Sequence, residues 1–171
     1  VSCDAPPDAF LEARLAGALD TELHWQAADM DCDGMRRPDG LGLRIRFQGT
    51  AAGQHLTLVF AAPRLAEGES AHAVPVNVTL IREGGPIYGT RGEERCLLDE
   101  VTQAPLPTPL PVPDDAPRRW RVEARGFCLA PARAVGGNDA ILVSRFDFRG
   151  QLAWDPDPPA APPPPLPPPG F

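Results

Sequence analysis

The sequence predicts an all-β protein: an antiparallel β-sandwich, jelly-roll or immunoglobulin-like, of about 7–8 strands. A short N-terminal helical turn precedes the strands and a proline-rich tail follows them. Three observations carry this. Apolar residues recur at every second position in successive stretches, the period of a strand with one buried face. Gly- and Pro-rich turn signals separate those stretches. No run of ten or more residues reads as the crossover helix that parallel strands require.

The elements follow in order. Leu11, Leu15 and Leu19 fit a helical spacing after Pro6-Pro7-Asp8, so a helical turn is expected there. It runs into a strand placing Leu15, Gly17, Leu19, Thr21, Leu23 and Trp25 on one face. Leu41, Leu43, Ile45 and Phe47 alternate with Gly42, Arg44, Arg46 and Gln48 in the next. Leu56, Leu58 and Phe60 define a third strand, and Val74, Val76, Val78 and Leu80 a fourth. Residues 94–101, with Cys96 and Leu98, are a weaker strand. Trp120, Val122, Ala124, Gly126 and Cys128 line one face of the following one. The last sets Leu142, Phe146, Phe148, Gly150, Leu152 and Trp154 against Arg145, Asp147, Arg149 and Gln151. Turns are expected at Pro38-Asp39-Gly40, Gly84-Gly85-Pro86 and Gly136-Gly137-Asn138-Asp139.

The chain has 171 residues, room for one ordinary domain. Residues 155–171 hold 10 of its 23 prolines, which sets a boundary: a disulfide-linked β-domain over 1–154 and a polyproline-type tail over 155–171. Residues 103–118 share that character and read as an extended loop. Such segments donate few backbone hydrogen bonds, yet a preformed polyproline helix loses little entropy on docking. Pro162, Pro163, Pro164, Pro165, Leu166, Pro167 and Phe171 are therefore the candidate partner-binding residues, for a protein partner or neighbouring subunit.

A net charge of -7 argues against a nucleic-acid ligand, which needs clustered positive charge. No apolar stretch is long enough to cross a bilayer as a helix. All 16 basic residues are Arg, which removes Schiff-base chemistry and a Walker-type phosphate loop.

The four cysteines, Cys3, Cys32, Cys96 and Cys128, form no C-x-x-C pair. Two disulfides in an oxidising compartment fit their even number and wide spacing, and point to a periplasmic or extracellular location. Cys96–Cys128 is the favoured pair because both occupy core-facing strand positions, which leaves Cys3–Cys32. No signal peptide is visible, so the exported reading takes the chain in mature form. Val1-Ser2-Cys3 also resembles the end of a lipobox, and a lipid anchor at Cys3 competes with its pairing to Cys32.

Asp29-Met30-Asp31-Cys32-Asp33-Gly34 has the alternating carboxylates of a calcium loop, with Asp39 as a fourth ligand. Gly40 stands where a bidentate Glu belongs, and Arg36 and Arg37 bring opposing charge, so a solvated acidic turn is the preferred reading. Ser2, Ser70 and Ser144 lack a nucleophile-elbow context. His24, His55 and His72 lack metal-ligand spacing. Arg44, Arg46, Arg119, Arg121, Arg125, Arg145 and Arg149 project from polar strand faces, where cross-strand ion pairs are expected rather than a cationic surface. Asn77-Val78-Thr79 is a sequon by chance, with Asn77 pointing outward. No catalytic residue and no cofactor is assigned. The expected function is a non-catalytic, exported binding or accessory subunit that docks on a larger assembly, partly through its Pro-rich segments. The alternative is a calcium-assisted carbohydrate-binding module.

Overall fold

A computed structural model describes residues 8–37, 42–92, 95–107, 110–154 and 162–165. The described chain is all-β, with 12 strands in one sheet and a single 3-10 turn at Ala27–Asp29. The strands are β1 (Phe10–Gly17), β2 (Thr21–Gln26), β3 (Met30–Arg36), β4 (Leu43–Ala51), β5 (Gln54–Ala62) and β6 (Ala71–Pro75). They continue as β7 (Asn77–Arg82), β8 (Ile87–Gly89), β9 (Cys96–Pro105), β10 (Arg118–Cys128), β11 (Ala132–Ala134) and β12 (Ala140–Trp154). The count exceeds the 7–8 expected because two expected strands are each divided (β1 and β2, β6 and β7), the acidic run forms β3, and β8 and β11 are three residues each, too short to display an alternation.

The long strand β12 organises the molecule. Phe146 to Arg149 pair with β1 on one edge and with β10 on the other. The run β2-β1-β12-β10-β9-β6 follows from those two edges. A second run, β3-β4-β5-β7-β8-β11, is joined to β12 at both ends: Ala153 pairs with Met35 of β3, and Ile141 with Ala132 of β11. Hydrogen bonding therefore returns to its starting strand. Every pairing is antiparallel except the single β12–β3 bridge.

Between these runs lies an aromatic core. Phe60 packs on Phe146 with ring centroids 4.7 Å apart, and Phe47 on Phe148 at 5.2 Å. Such tilted pairs add about 0.5–1.5 kcal/mol each beyond the area they bury. Gly126 makes room for this cluster, since a Cβ there would stand 2.7 Å from the Phe146 ring and 2.2 Å from the Leu97 carbonyl oxygen.

Four expectations are corrected. The N-terminal helical turn is absent among the described residues. Leu11, Ala13 and Leu15 alternate inward on β1, which is paired on both edges, and a reversal at residues 18–20 separates β1 from β2. The expected strand through Val74 and Leu80 is two strands. β6 joins β9, with the Val76 N–H still donating to the Cys96 carbonyl, and β7 joins β5 from Asn77 onward; Pro75, which has no N–H, stands just before the change of partner. Gln103 to Pro105 belong to β9 rather than to a polyproline loop. The buried Gln103 side chain donates to the Ala66 and Glu69 carbonyls at 2.9 and 3.0 Å and accepts from the Gly68 N–H at 3.2 Å. Finally, Leu142 does not share the inner face of Phe146. Arg14 faces Arg145 while Leu15 faces Val143, so Ser144 is an extra residue that puts Ile141 and Val143 inside instead.

Candidate functional site: a groove framed by two bulges

The polar face of β2-β1-β12-β10-β9-β6 carries one continuous row of charged residues. In register across the six strands stand His24, Glu12, Asp147, Arg125, Glu100 and His72. Alternation along each strand puts these residues opposite the core. Arg125 Nη2 meets Glu100 Oε2 across strands at 2.8 Å, and the His24 ring lies 3.8 Å from Glu12 on the neighbouring strand and 3.4 Å from Glu22 on its own.

A groove of about 490 Å³ opens along this row. Two β-bulges frame it. One is Ser144 on β12. The other is Asp99 on β9, because Arg125 faces Glu100 whereas Gly126 faces Leu98. Bulges bend a strand and re-aim its side chains, and they recur beside binding sites. Here they bring Asp99 and Ser144 into the lining with Glu12, His24, Asp147 and Phe127. The Asp147 carboxyl is held above its ordinary value, first by desolvation and next by the Glu12 charge beside it, against the pull of Arg125 and Arg149.

Elsewhere the charged groups hold the fold together. Arg149 bridges Glu123 at 2.7 Å and Asp8 at 3.1 Å, and Arg121 pairs with the same two acids. Arg118 donates to both Glu67 oxygens at 2.5 and 2.7 Å, and Trp120 Nε1 to Oε1 at 2.9 Å. The Arg118 hydrogen bonds outweigh desolvation and draw the Glu67 carboxyl below its ordinary value. Of the outer-face arginines named above, Arg46, Arg121, Arg125 and Arg149 form ion pairs, as the alternating charge pattern predicts. Arg44, Arg119 and Arg145 form none with a described carboxylate.

The acidic run is a strand and not a turn. Asp31 and Asp33 lie on β3 facing Gln48 and Arg46, and Asp33 is ion-paired with Arg46. Asp29 ends the 3-10 turn, where it accepts from the Gln26 N–H at 3.1 Å. Asp39 lies outside the described residues. Among those described, no three His, Cys, Asp or Glu converge as metal ligands. Gly34 lies within β3, where the Gln151 carbonyl and Leu152 of β12 leave no room for a side chain.

Cys96 and Cys128 face each other across β9 and β10 and are bonded, S–S 2.09 Å, with both residues buried. Cys32 is also disulfide-bonded. Its expected partner, and the competing lipid anchor, fall on Cys3, outside the described residues. Pro162 to Pro165 are exposed, while Leu166, Pro167 and Phe171 are outside them. His24, His55 and His72 stand on three different strands, and among the described residues no serine hydroxyl is hydrogen-bonded to a histidine. Ser144 Oγ instead donates to the Arg14 carbonyl at 3.5 Å, and Ser70 Oγ accepts from the Gln103 N–H at 3.4 Å. Asn77 lies on the face of β7 opposite Val78 and Leu80, as expected, but is half-buried, with its Oδ1 shielded from solvent.

Sequence reasoning missed the groove. Asp99, Ser144 and Phe127 are unremarkable in their own stretches, and only the bulges place them together. A weak trace exists in the sequence: the apolar phase of residues 141–154 breaks between Val143 and Phe146, which marks an inserted residue.

Comparison with known proteins finds no matching family model, no matching curated protein and no matching solved structure.

Proposed function

We propose that this chain is an exported, non-catalytic binding subunit that docks on a larger protein assembly. The observation that carries the reading is the groove itself. Glu12, Glu22, His24, Asp99, Arg125, Ser144 and Asp147 line it, so it offers many hydrogen-bonding groups to a ligand. A layered, sandwich-type body, with Phe47 and Phe60 packed over Phe146 and Phe148, makes a rigid support for such a face. The Pro-rich segments contribute docking surface: Leu110 and Val112 are 88% and 48% exposed, and Pro162 to Pro165 stand clear of the body. The Cys96–Cys128 bond supports a periplasmic or extracellular site of action. No described helix is long and apolar enough to cross a membrane.

Deletion of residues 155–171 tests the docking role. The truncated chain is expected to melt within about 2 °C of the full chain, because a proline-rich segment is expected to bury no core of its own. It is expected to lose co-purification with its native partner. Undiminished co-purification would reject the tail's part in docking.

A second reading, the calcium-assisted carbohydrate module, is favoured by one feature. The Oδ1 atoms of Asp31 and Asp33 are shielded from solvent and accept no hydrogen bond among the described residues. A cation bound to the native state would raise the melting temperature by mass action. Melts that are identical in calcium and in chelator would remove this reading.

A further inference from the structure

Among the described strands only β2 and β6 pair on a single edge. An open edge is a template for another strand, and proteins blunt it with proline or a kink where pairing is unwanted. β6 is blunted in both ways: Ala73 sits at a positive φ of 54°, and Pro75 has no N–H. β2 carries neither device, and its register with β1 runs unbroken from Thr21 to Gln26.

The direction of its backbone groups follows from neighbouring hydrogen bonds. The Gln26 N–H donates to Asp29 Oδ2 at 3.1 Å rather than to β1, and the Arg14 carbonyl of β1 accepts from Ser144 Oγ on β12, away from β2. Backbone groups alternate sides along a strand, so Thr21, Leu23 and Trp25 bond to β1 while Glu22 and His24 turn their N–H and C=O groups outward. Thr21 Oγ1 reaches the Glu22 carbonyl at a long 3.4 Å, and no described strand takes the other three groups. Glu22 and His24 also form one wall of the groove, so a strand laid along β2 would extend that wall. Beside β2 the described charge is acidic: His24 stands between Glu12 and Glu22, and Arg14 is taken up by Asp20. On the opposite face Leu23 and Trp25 are buried.

We propose that β2 is a docking edge that takes an extended segment of a partner protein as an added antiparallel strand, with basic side chains opposite Glu22 and His24 and aliphatic ones alongside Leu23 and Trp25. The inference rests on the docking reading above and names the chemistry of its partner. The outward backbone groups supply affinity, and the two-residue period of a strand sets the alternation of the segment. Cross-strand pairing with Glu22, and the nearness of Glu12, selects basic residues over acidic ones. A second copy of this chain fits less well. Aligned on His24, it would set Glu22 against a Gln26 whose N–H is already taken, and it would bring the same acids to the same edge.

The test uses the full chain and a short fluorescein-labelled peptide of alternating Lys and Val, with binding read by fluorescence anisotropy at low salt. In the added strand the Lys amides face β2 and the Val amides face solvent. N-methylation of the Lys amides is therefore expected to weaken binding at least about tenfold, through lost ladder hydrogen bonds, and N-methylation of the Val amides to leave it unaltered. A peptide with Glu for Lys is expected to bind at least about fivefold more weakly, and Glu22→Gln to weaken the Lys peptide by about two- to fivefold. His24→Pro removes an outward N–H and leaves the β1 ladder whole. It is expected to keep the near-ultraviolet circular dichroism of the parent and to lose at least about fivefold in affinity. The two N-methylated peptides decide the matter on the unaltered chain if that variant does not fold. Equal binding of the two, equal binding of the Glu peptide, or a dimer of the free chain that His24→Pro abolishes would overturn the proposal. His24→Pro is also carried through the co-purification assay. Partner capture that depends on residues 155–171 but not on His24 would leave docking standing and remove the β2 edge. Peptide binding that His24→Pro abolishes, in a chain that captures no partner, would do the reverse.

Discussion

Replacing Gly34 by alanine isolates the contact that joins β3 to β12. A Cβ at this position would lie 2.4 Å from the Gln151 carbonyl oxygen and 2.6 Å from Leu152 Cδ2. Carbon contacts are comfortable near 3.5 Å, so the strands must part by roughly 1 Å. A backbone carbonyl cannot rotate away as a side-chain end can. Overpacking of this kind costs about 1–3 kcal/mol. Strain on the neighbouring Ala153–Met35 bridge adds about 0.5–1.5 kcal/mol. The alanine returns about 0.4–1 kcal/mol by restricting the unfolded chain. The net loss is about 1–3 kcal/mol, or roughly 3–10 °C in Tm for a chain of this size. Gly89→Ala is the internal control, because no atom lies within 4 Å of its Cβ position and its φ is not positive. Only the unfolded-state term acts there, so Gly89→Ala is expected to melt at or slightly above the parent. The assay is thermal unfolding by near-ultraviolet circular dichroism, followed by urea titration. Should Gly34→Ala melt within about 1 °C of Gly89→Ala, the closure of the sheet through β3 would be wrong.

Two further outcomes follow from the same structure. Cys96 and Cys128 are 32 positions apart, so opening their bond frees a loop worth about 3.7 kcal/mol of unfolded-state entropy on the chain-entropy account. The double variant Cys96→Ala, Cys128→Ala should therefore melt about 7–15 °C lower, and a change below about 2 °C would contradict the cross-link's role. Asp147 has its folded pKa raised above the ordinary 3.8, so its contribution favours the folded state below that value and is lost as pH rises through the folded pKa. Asp147→Asn should then match the parent near pH 3 and exceed it in Tm near pH 7, since the amide carries no charge to desolvate and none to be repelled by Glu12. A parent that gains on the variant as pH rises would reverse the assignment.

Much of the fold was legible in the sequence because burial on a strand repeats at every second residue. Ile45 and Phe47, Leu56 to Phe60, and Val122 to Cys128 are all buried on the face their alternation indicates. Cys96 and Cys128 were legible as a pair for the same reason, each ending an inward-facing run. The candidate site was not. The six residues in register from His24 to His72 come from six strands spread over more than a hundred positions, and nothing local signals that register. The Asp29–Gly34 run shows the opposite failure, a local pattern that resembled a cation loop. The ladder with β4 and the approach of β12 decide its conformation instead.

By itself, the sequence determined the all-β class, most of the inward faces and the Cys96–Cys128 cross-link. These follow from side-chain alternation and from backbone limits that act over a few residues. Only the tertiary structure decided which strands pair and where β12 is bonded on both edges. It also decided how the bulges at Asp99 and Ser144 open a groove. Those outcomes depend on contacts between residues far apart in the chain, where packing and hydrogen-bond closure select among registers that local periodicity leaves equal.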